Sequence, residues 1–199
     1  MSPTEFEAAR QWAPTPFAQV AYWEFGAGPP ALFIHGYPLN SYQWSGAFEH
    51  LADLRRCIAP DLMGLGHTRP NPDQPLSFKD QADMLLAFMD ALGLQTVDLV
   101  GNDSGCAIAQ LVATAAPDRI RSLVLTNGDT HDNWPPTAFQ ASFEAAKAGQ
   151  LADTLAGLLA NPNIARSPLA LGRSFQFPER LTDEILQTYL GPLVATPAR

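Results

Sequence analysis

The 199-residue chain has only two cysteines, Cys57 and Cys106, too few for a disulfide scaffold. Both sit within apolar stretches, and both are expected as small core residues in a reducing compartment. Basic residues are scarce: 12 Lys+Arg stand against 20 Asp+Glu, a formal net charge of −8. The acidic surplus is spread along the chain, with five basic and twelve acidic groups in residues 1–103 and seven and eight in the rest. Without a basic stripe to neutralise phosphates, nucleic acid is excluded as a partner. The same deficit excludes an anionic membrane surface. No apolar run approaches transmembrane length. Met1-Ser2-Pro3-Thr4-Glu5-Phe6-Glu7 has neither the basic n-region nor the apolar h-region of a signal peptide. A cytoplasmic, soluble protein is the expectation.

Cofactor signatures are missing as well. There is no His/Cys cluster with ligand spacing, no GxGxxG after a strand and no phosphate-cradling lysine motif. Gly26-Ala27-Gly28-Pro29 imitates a glycine loop, but Pro29-Pro30 prevents a helix with free N–H donors from starting there. No metal and no cofactor are expected, and neither repeats nor a low-complexity linker are found.

What the chain does have is a core: hydrophobic residues make up 46% and charged residues 16%, a globular balance at this length. Between about residues 17 and 127, short apolar runs alternate with helical patterns. Residues 17–25 alternate like a strand. Ala31-Leu32-Phe33-Ile34, Arg56-Cys57-Ile58-Ala59, Val97-Asp98-Leu99-Val100 and Leu123-Val124-Leu125 are continuous runs that fit strands buried on both faces of a parallel sheet. Phe78, Ala82, Leu85, Met89 and Leu92 recur at helical spacing, with Ser77 as N-cap and Gly93 as the stop. A small-residue helix follows over 105–116. Strands alternating with helices make βαβ units and an α/β fold. After Asn127 the pattern changes. Seven of the 18 prolines follow residue 134, and the remaining apolar residues read as short helices, among them 181–190 with Thr182 as cap and Leu181 stapled to Leu186. Residues 1–133 thus read as one domain and 134–199 as a helical insertion.

The strongest chemical signal is Gly101-Asn102-Asp103-Ser104-Gly105, a tight turn between a strand and a helix. A reactive side chain at the tip of such an elbow needs small residues two before and two after, because the backbones crowd there. Centring on Asp103 puts Gly101 and Gly105 at those places; centring on Ser104 puts Asn102 and Cys106 there, a poorer fit. The plainer reading is an ordinary βα turn with Asp103 as a helix cap. Two further turns stand against it: His35-Gly36-Tyr37-Pro38 after a buried strand, where a backbone N–H is aimed at a developing oxyanion, and Asp61-Leu62-Met63-Gly64-Leu65-Gly66-His67-Thr68 after the next.

On these three motifs, the sequence from about residue 17 to the end resembles the α/β-hydrolase superfamily. Within it, the closer likeness is to the branch with an aspartate nucleophile, which contains haloalkane dehalogenases, haloacid dehalogenases and epoxide hydrolases. The resemblance implies a mostly parallel sheet with helices on both faces and a helical cap inserted after the strand that follows the elbow. It also implies a hydrolase that forms a covalent alkyl ester on Asp103, with the backbone N–H groups of Tyr37 and Ser104 as oxyanion hole. Asn127 and Asp129 are candidates for the acid or for supporting residues, and His35, Pro38, Trp134 and Tyr189 for the substrate pocket. A serine-type esterase using Ser104, and a non-catalytic protein that binds a ligand, are the alternatives.

The chain departs from the family pattern in three ways. Ser104 and Tyr37 occupy places where relatives hold a leaving halide with N–H donors. The place of the acid in one subgroup is taken by Asn127. The base histidine is expected after a final strand, yet His131 is the sole histidine after Asp103. The base and the last strands are therefore expected beyond Arg199, in a second segment or chain that completes the sheet. The 199 residues alone are expected to fold poorly, and the partners expected are a small-molecule substrate and that completing segment.

Overall fold

The computed structural model describes residues 1–128 and 137–195, without the side chain of Ala138. The chain divides into two compact units, Met1–Thr130 and His131–Arg199. In the first, α1 (Pro3–Ala8), β1 (Gln11–Pro14), β2 (Ala18–Phe25), β3 (Pro30–Ile34), α2 (Ser45–Leu51), β4 (Arg56–Pro60), β5 (Arg69–Pro70), α3 (Phe78–Ala91), β6 (Val97–Asn102), α4 (Ser104–Ala115) and β7 (Ile120–Thr126) follow one another. The strands form one sheet in the order β1-β2-β4-β3-β6-β7, with β5 paired to β2.

The four strands β4, β3, β6 and β7 run parallel. β2 is antiparallel to β1, β4 and β5, so the alternating run at 17–25 belongs to the antiparallel flank of a mixed sheet. Alternation sorts the two faces. Val20, Tyr22, Leu32, Ile34, Ile58 and Leu99 share one core with Met84, Leu85, Phe88 and Met89 of α3 and Ile108 and Val112 of α4. Trp23, Phe25 and Phe33 point the other way, into an aromatic layer with Phe6 of α1 and Phe48 of α2; the Phe6 and Trp23 rings stack at 4.5 Å. Each fully buried side chain of this size contributes about 1.5–3 kcal/mol.

Helix boundaries follow local chemistry. Ser77 accepts from Asp80 N, Asp80 accepts from Ser77 N (3.0 Å), and Gly93 takes φ +67° just past the end of α3. Cys57 and Cys106 are buried free thiols.

The second unit consists of α5 (Gln140–Lys147), α6 (Leu151–Ala160), α7 (Pro162–Ala165), α8 (Asp183–Ala195) and short 3-10 turns. Thr182 Oγ1 accepts from Ile185 N at 3.2 Å, and Leu181 and Leu186 are both buried. Among the described residues, no helix is long and apolar enough to cross a membrane, and no three His, Cys, Asp or Glu side chains are grouped to hold a metal.

Candidate active site

Because β4, β3, β6 and β7 are parallel, their carboxyl ends open on the same edge of the sheet. Ligands of open α/β sheets bind outside that edge. The chain leaves it at His35, Asp61, Asp103 and Asn127. Ile34 is level with Gly101, and Asn102 with Thr126, so the loop after β3 comes directly alongside the elbow.

Asp103 sits between β6 and α4 at φ 55° and ψ −130°, backbone values that cost an L-residue about 1–3 kcal/mol. The glycines around it have no room for a side chain. A Cβ on Gly101 would lie 2.7 Å from Gly105 O, and one on Gly105 would lie 2.5 Å from Ile34 O. A Cβ on Gly36 would stand 2.3 Å from Asp103 Cβ and 2.4 Å from its Oδ1. Although Asp103 holds the N-cap position of α4, its side chain makes no capping hydrogen bond. The carboxylate is turned to the neighbouring loop instead, where Oδ1 accepts from Tyr37 N at 3.0 Å. The same N–H also reaches Ser104 Oγ, at 3.2 Å. Ser104 is the first residue of α4 and only 8% exposed, so the tip of the turn belongs to Asp103.

His35 was expected as a pocket residue. It is instead completely buried and used inside the protein: its Nε2 accepts from Leu62 N at 3.0 Å, and its Nδ1 faces Gly36 O at 3.1 Å. This pairing requires the Nδ1–H tautomer. Burial pushes the imidazole below its ordinary value, against an opposing pull from Asp61. Pro38 follows Tyr37 through a cis peptide bond and is half-buried. Asn127 stands exposed just after β7 at φ 54°, a turn residue in the left-handed region. Tyr189 is 5% exposed within the second unit, 6.5 Å from the Phe175 ring. Asp129 and Trp134 lie outside the described residues, as does His131.

Sequence reasoning missed several supporting residues. The buried Asp61 carboxylate accepts from Ser41 N (2.9 Å), Ser41 Oγ (2.7 Å) and His67 N (2.7 Å), fastening the turn after β4 to the segment that carries Tyr42 and Gln43. Gly66, pressed against that carboxylate, was its visible signal. Thr126 O accepts from Asp103 N (3.3 Å), Asn102 Nδ2 (3.0 Å) and Cys106 Sγ (3.3 Å), and so ties the end of β7 to the elbow.

Residues 29–197 match the family described as alpha/beta hydrolase fold. The chain belongs to that family. Over 105 residues, 52% of this chain and 34% of the other, it is 43% identical to a haloalkane dehalogenase of Mesorhizobium japonicum. Over 102 residues, 50% and 32% of the two chains, it is 38% identical to epoxide hydrolase 2 of Siraitia grosvenorii. Among solved structures it is similar to a putative ancestral haloalkane dehalogenase, with 28% identity and a TM-score of 0.63 over 94% of this chain and 72% of that one. The matched stretch spans about a third of the length of these curated relatives.

The Asp103 carboxylate and the Tyr37 N–H face one another, and none of the described histidines is bonded to that carboxylate. His35 is engaged at both nitrogens. His50 is exposed on α2. His67 lies 3.4 Å from Glu7 and edge-on to Trp23.

Proposed function

We propose that this chain carries the nucleophilic half of a hydrolase that works through a covalent alkyl ester on Asp103, acting on a small haloalkane, haloacid or epoxide. The observation that supports it most is the Asp103 carboxylate itself. It is held at positive φ on a strand-to-helix turn, leaves the helix uncapped and faces a backbone donor. A residue kept for capping would have bonded α4 instead.

The chemistry follows from the two oxygens. Among the described residues, Oδ2 has no hydrogen-bond partner, while Oδ1 is bound by Tyr37 N. Oδ2 attacks an sp³ carbon in line; the Oδ2–C bond forms as the bond to the leaving group breaks, and the leaving group takes the electron pair. A halide departs as the anion, whereas an epoxide oxygen stays attached and requires a proton. Water then adds to Cγ, and negative charge develops on Oδ1, where a donor at 3.0 Å is already in place. The N-terminal end of α4 adds positive potential there.

The second step needs a base, which we assign to a further segment or a second chain that completes the sheet beside β7. β7 has a neighbour strand on one side, and its Leu123, Val124 and Leu125 are 40–47% exposed. Apolar side chains in such a row on a sheet edge normally meet a partner.

The first half-reaction needs no base and is testable on the chain as it stands. Incubation with small chloroalkanes, bromoalkanes and epoxides should leave a mass adduct that maps to Asp103 and is lost in Asp103→Asn. With the base restored, one turnover in ¹⁸O-labelled water should label Asp103. An adduct on Ser104 would transfer the function to a serine-type esterase. No adduct with any of these, together with full function in Asp103→Asn, would leave a non-catalytic binding protein.

A further inference from the structure

A chain of side-chain hydrogen bonds runs around Asp103 without using its carboxylate. Gln43 lies in the 3-10 turn Ser41–Trp44. Its Nε2 donates to Asn102 Oδ1 at 2.6 Å, and its Oε1 accepts from Gly36 N at a longer 3.4 Å. Asn102 Nδ2 donates onward to Thr126 O and Oγ1, both at 3.0 Å, and Thr126 Oγ1 donates back to Gly101 O at 3.3 Å. Gly36 directly precedes Tyr37, the donor, and Asn102 directly precedes Asp103, the acceptor. One side chain therefore links the Gly36 N–H, one peptide before the Tyr37 donor, to the side-chain amide of Asn102, one residue before the Asp103 acceptor.

The polarity of the link is fixed at both ends. Oε1 meets a donor and Nε2 an acceptor, and a reversed amide would put like against like at both. The turn that carries Gln43 is itself anchored, by Asp61 on Ser41 and by Asn40 Oδ1 accepting from Tyr42 N at 3.1 Å. Loop peptides not held in this way drift by tenths of an ångström, enough to weaken a donor that must meet charge at one point.

We propose that Gln43 is a positioning residue: its amide clamps the peptide at Gly36 to the elbow at Asn102 and so holds the Tyr37 N–H on Asp103. The clamp rests on the reading of Asp103 as nucleophile. A side chain kept for packing alone tolerates Met, which has the same reach; a clamp does not.

The test compares the chain with Gln43→Met, Asn102→Ala and the double variant, using a haloalkane that alkylates the unaltered protein. Gln43→Met should lower the limiting rate of adduct formation roughly tenfold, because a carboxylate no longer steadied by Tyr37 N–H spends less time in line for attack. The half-saturating concentration should stay within about twofold, because substrate contacts are unaltered. The double variant should be no slower than the slower single one, since both cut the same link. Amide hydrogen exchange should quicken at Tyr37 and Asp103 and stay unchanged in α3. An unaltered rate in Gln43→Met overturns the clamp, as do additive losses in the double variant. Faster exchange throughout the unit, α3 included, also overturns it, because it marks a role in fold stability only. If the unaltered protein takes no adduct, the nucleophile reading fails separately, and exchange decides the clamp: local quickening at Tyr37 upholds it, and none overturns it.

Discussion

Replacing Asp98 by Asn should destabilise the protein by at most about 2 kcal/mol near neutral pH, with the loss fading in acid. Asp98 stands near the start of β6, at the opposite end of the strand from Asp103. Arg121 donates to it through Nε (2.9 Å) and Nη2 (2.5 Å), Ser122 through Oγ (2.7 Å) and Arg55 through Nε (3.1 Å). Arg121 Nη2 also reaches Pro30 O at 3.2 Å, so one carboxylate gathers the starts of β3, β6 and β7. The Arg121 guanidinium above all, then Ser122 and Arg55, pull its carboxyl from 3.8 down to about 2 against the opposing effect of burial. A drop of nearly two units corresponds to about 2 kcal/mol of preference for the ionised form in the folded state. The Asp98 side chain is 16% exposed, but Arg121 is 40% exposed, so solvent screening makes this an upper figure. Because the folded value is depressed, the stabilisation is complete above about pH 4 and is lost as pH falls towards 2. Urea denaturation of both proteins at several pH values from neutral to acid measures the difference. A gap that stays constant with pH, or widens in acid, would refute the argument, and so would a carboxyl titration of Asp98 near 4 by NMR.

Two other predictions bear directly on the site. Gly36→Ala should slow alkylation of Asp103 by at least about a hundredfold, since the new Cβ would lie 2.4 Å from Oδ1 and push the carboxylate off its donor; a rate within twofold of the original, read by adduct formation, would count against the geometry. His35 should keep its Nδ1–H tautomer and resist protonation to well below the ordinary histidine value, because burial lowers it. Its contribution to stability is then full above about pH 6.5 and declines below it. Ring ¹⁵N shifts that report an imidazolium near pH 6 would show this to be wrong.

The parallel half of the sheet was legible in the sequence because its strands read as apolar runs: β3 and β4 are buried on both faces, while β7 keeps the same kind of run although Leu123, Val124 and Leu125 are exposed. The elbow was legible for a different reason: Gly101 and Gly105 are required by backbone crowding, and that requirement is written in two residues at fixed spacing. The first helix was equally open to reading, since Ser2 and Glu5 form a capping box, yet six residues give no periodicity to attract notice. β1 is too short and too mixed, Gln11-Trp12-Ala13-Pro14, to show a period of two. His35 was misjudged because a histidine beside a candidate oxyanion loop looks the same in sequence whether it faces substrate or the interior. Only the distances to Leu62 N and Gly36 O separate these cases. Gln43 carried no signal at all. Its partners are 59 residues later and seven residues earlier in the chain, and no local pattern joins them.

On the proposed reading of Asp103 as nucleophile, the arrangement also explains why one end of the strands would bear chemistry and the other stability. At the amino end, the Asp98 carboxylate is saturated with donors on β7 and ahead of β4, which is what a group meant to stay ionised and still requires. At the carboxyl end, Asp103 keeps one oxygen tied and the other without a described partner, and the polar groups around it bind one another rather than its carboxylate. A nucleophile wrapped in as many donors as Asp98 would lose its electron pair to them, because each hydrogen bond to the anion must be weakened during attack. In the proposed reaction Tyr37 would avoid that conflict by binding Oδ1, the oxygen that would not attack and on which charge would return when water adds to the ester. A donor placed on Oδ2 would slow the first step. Placed on Oδ1, it would cost the attack little and serve the hydrolysis.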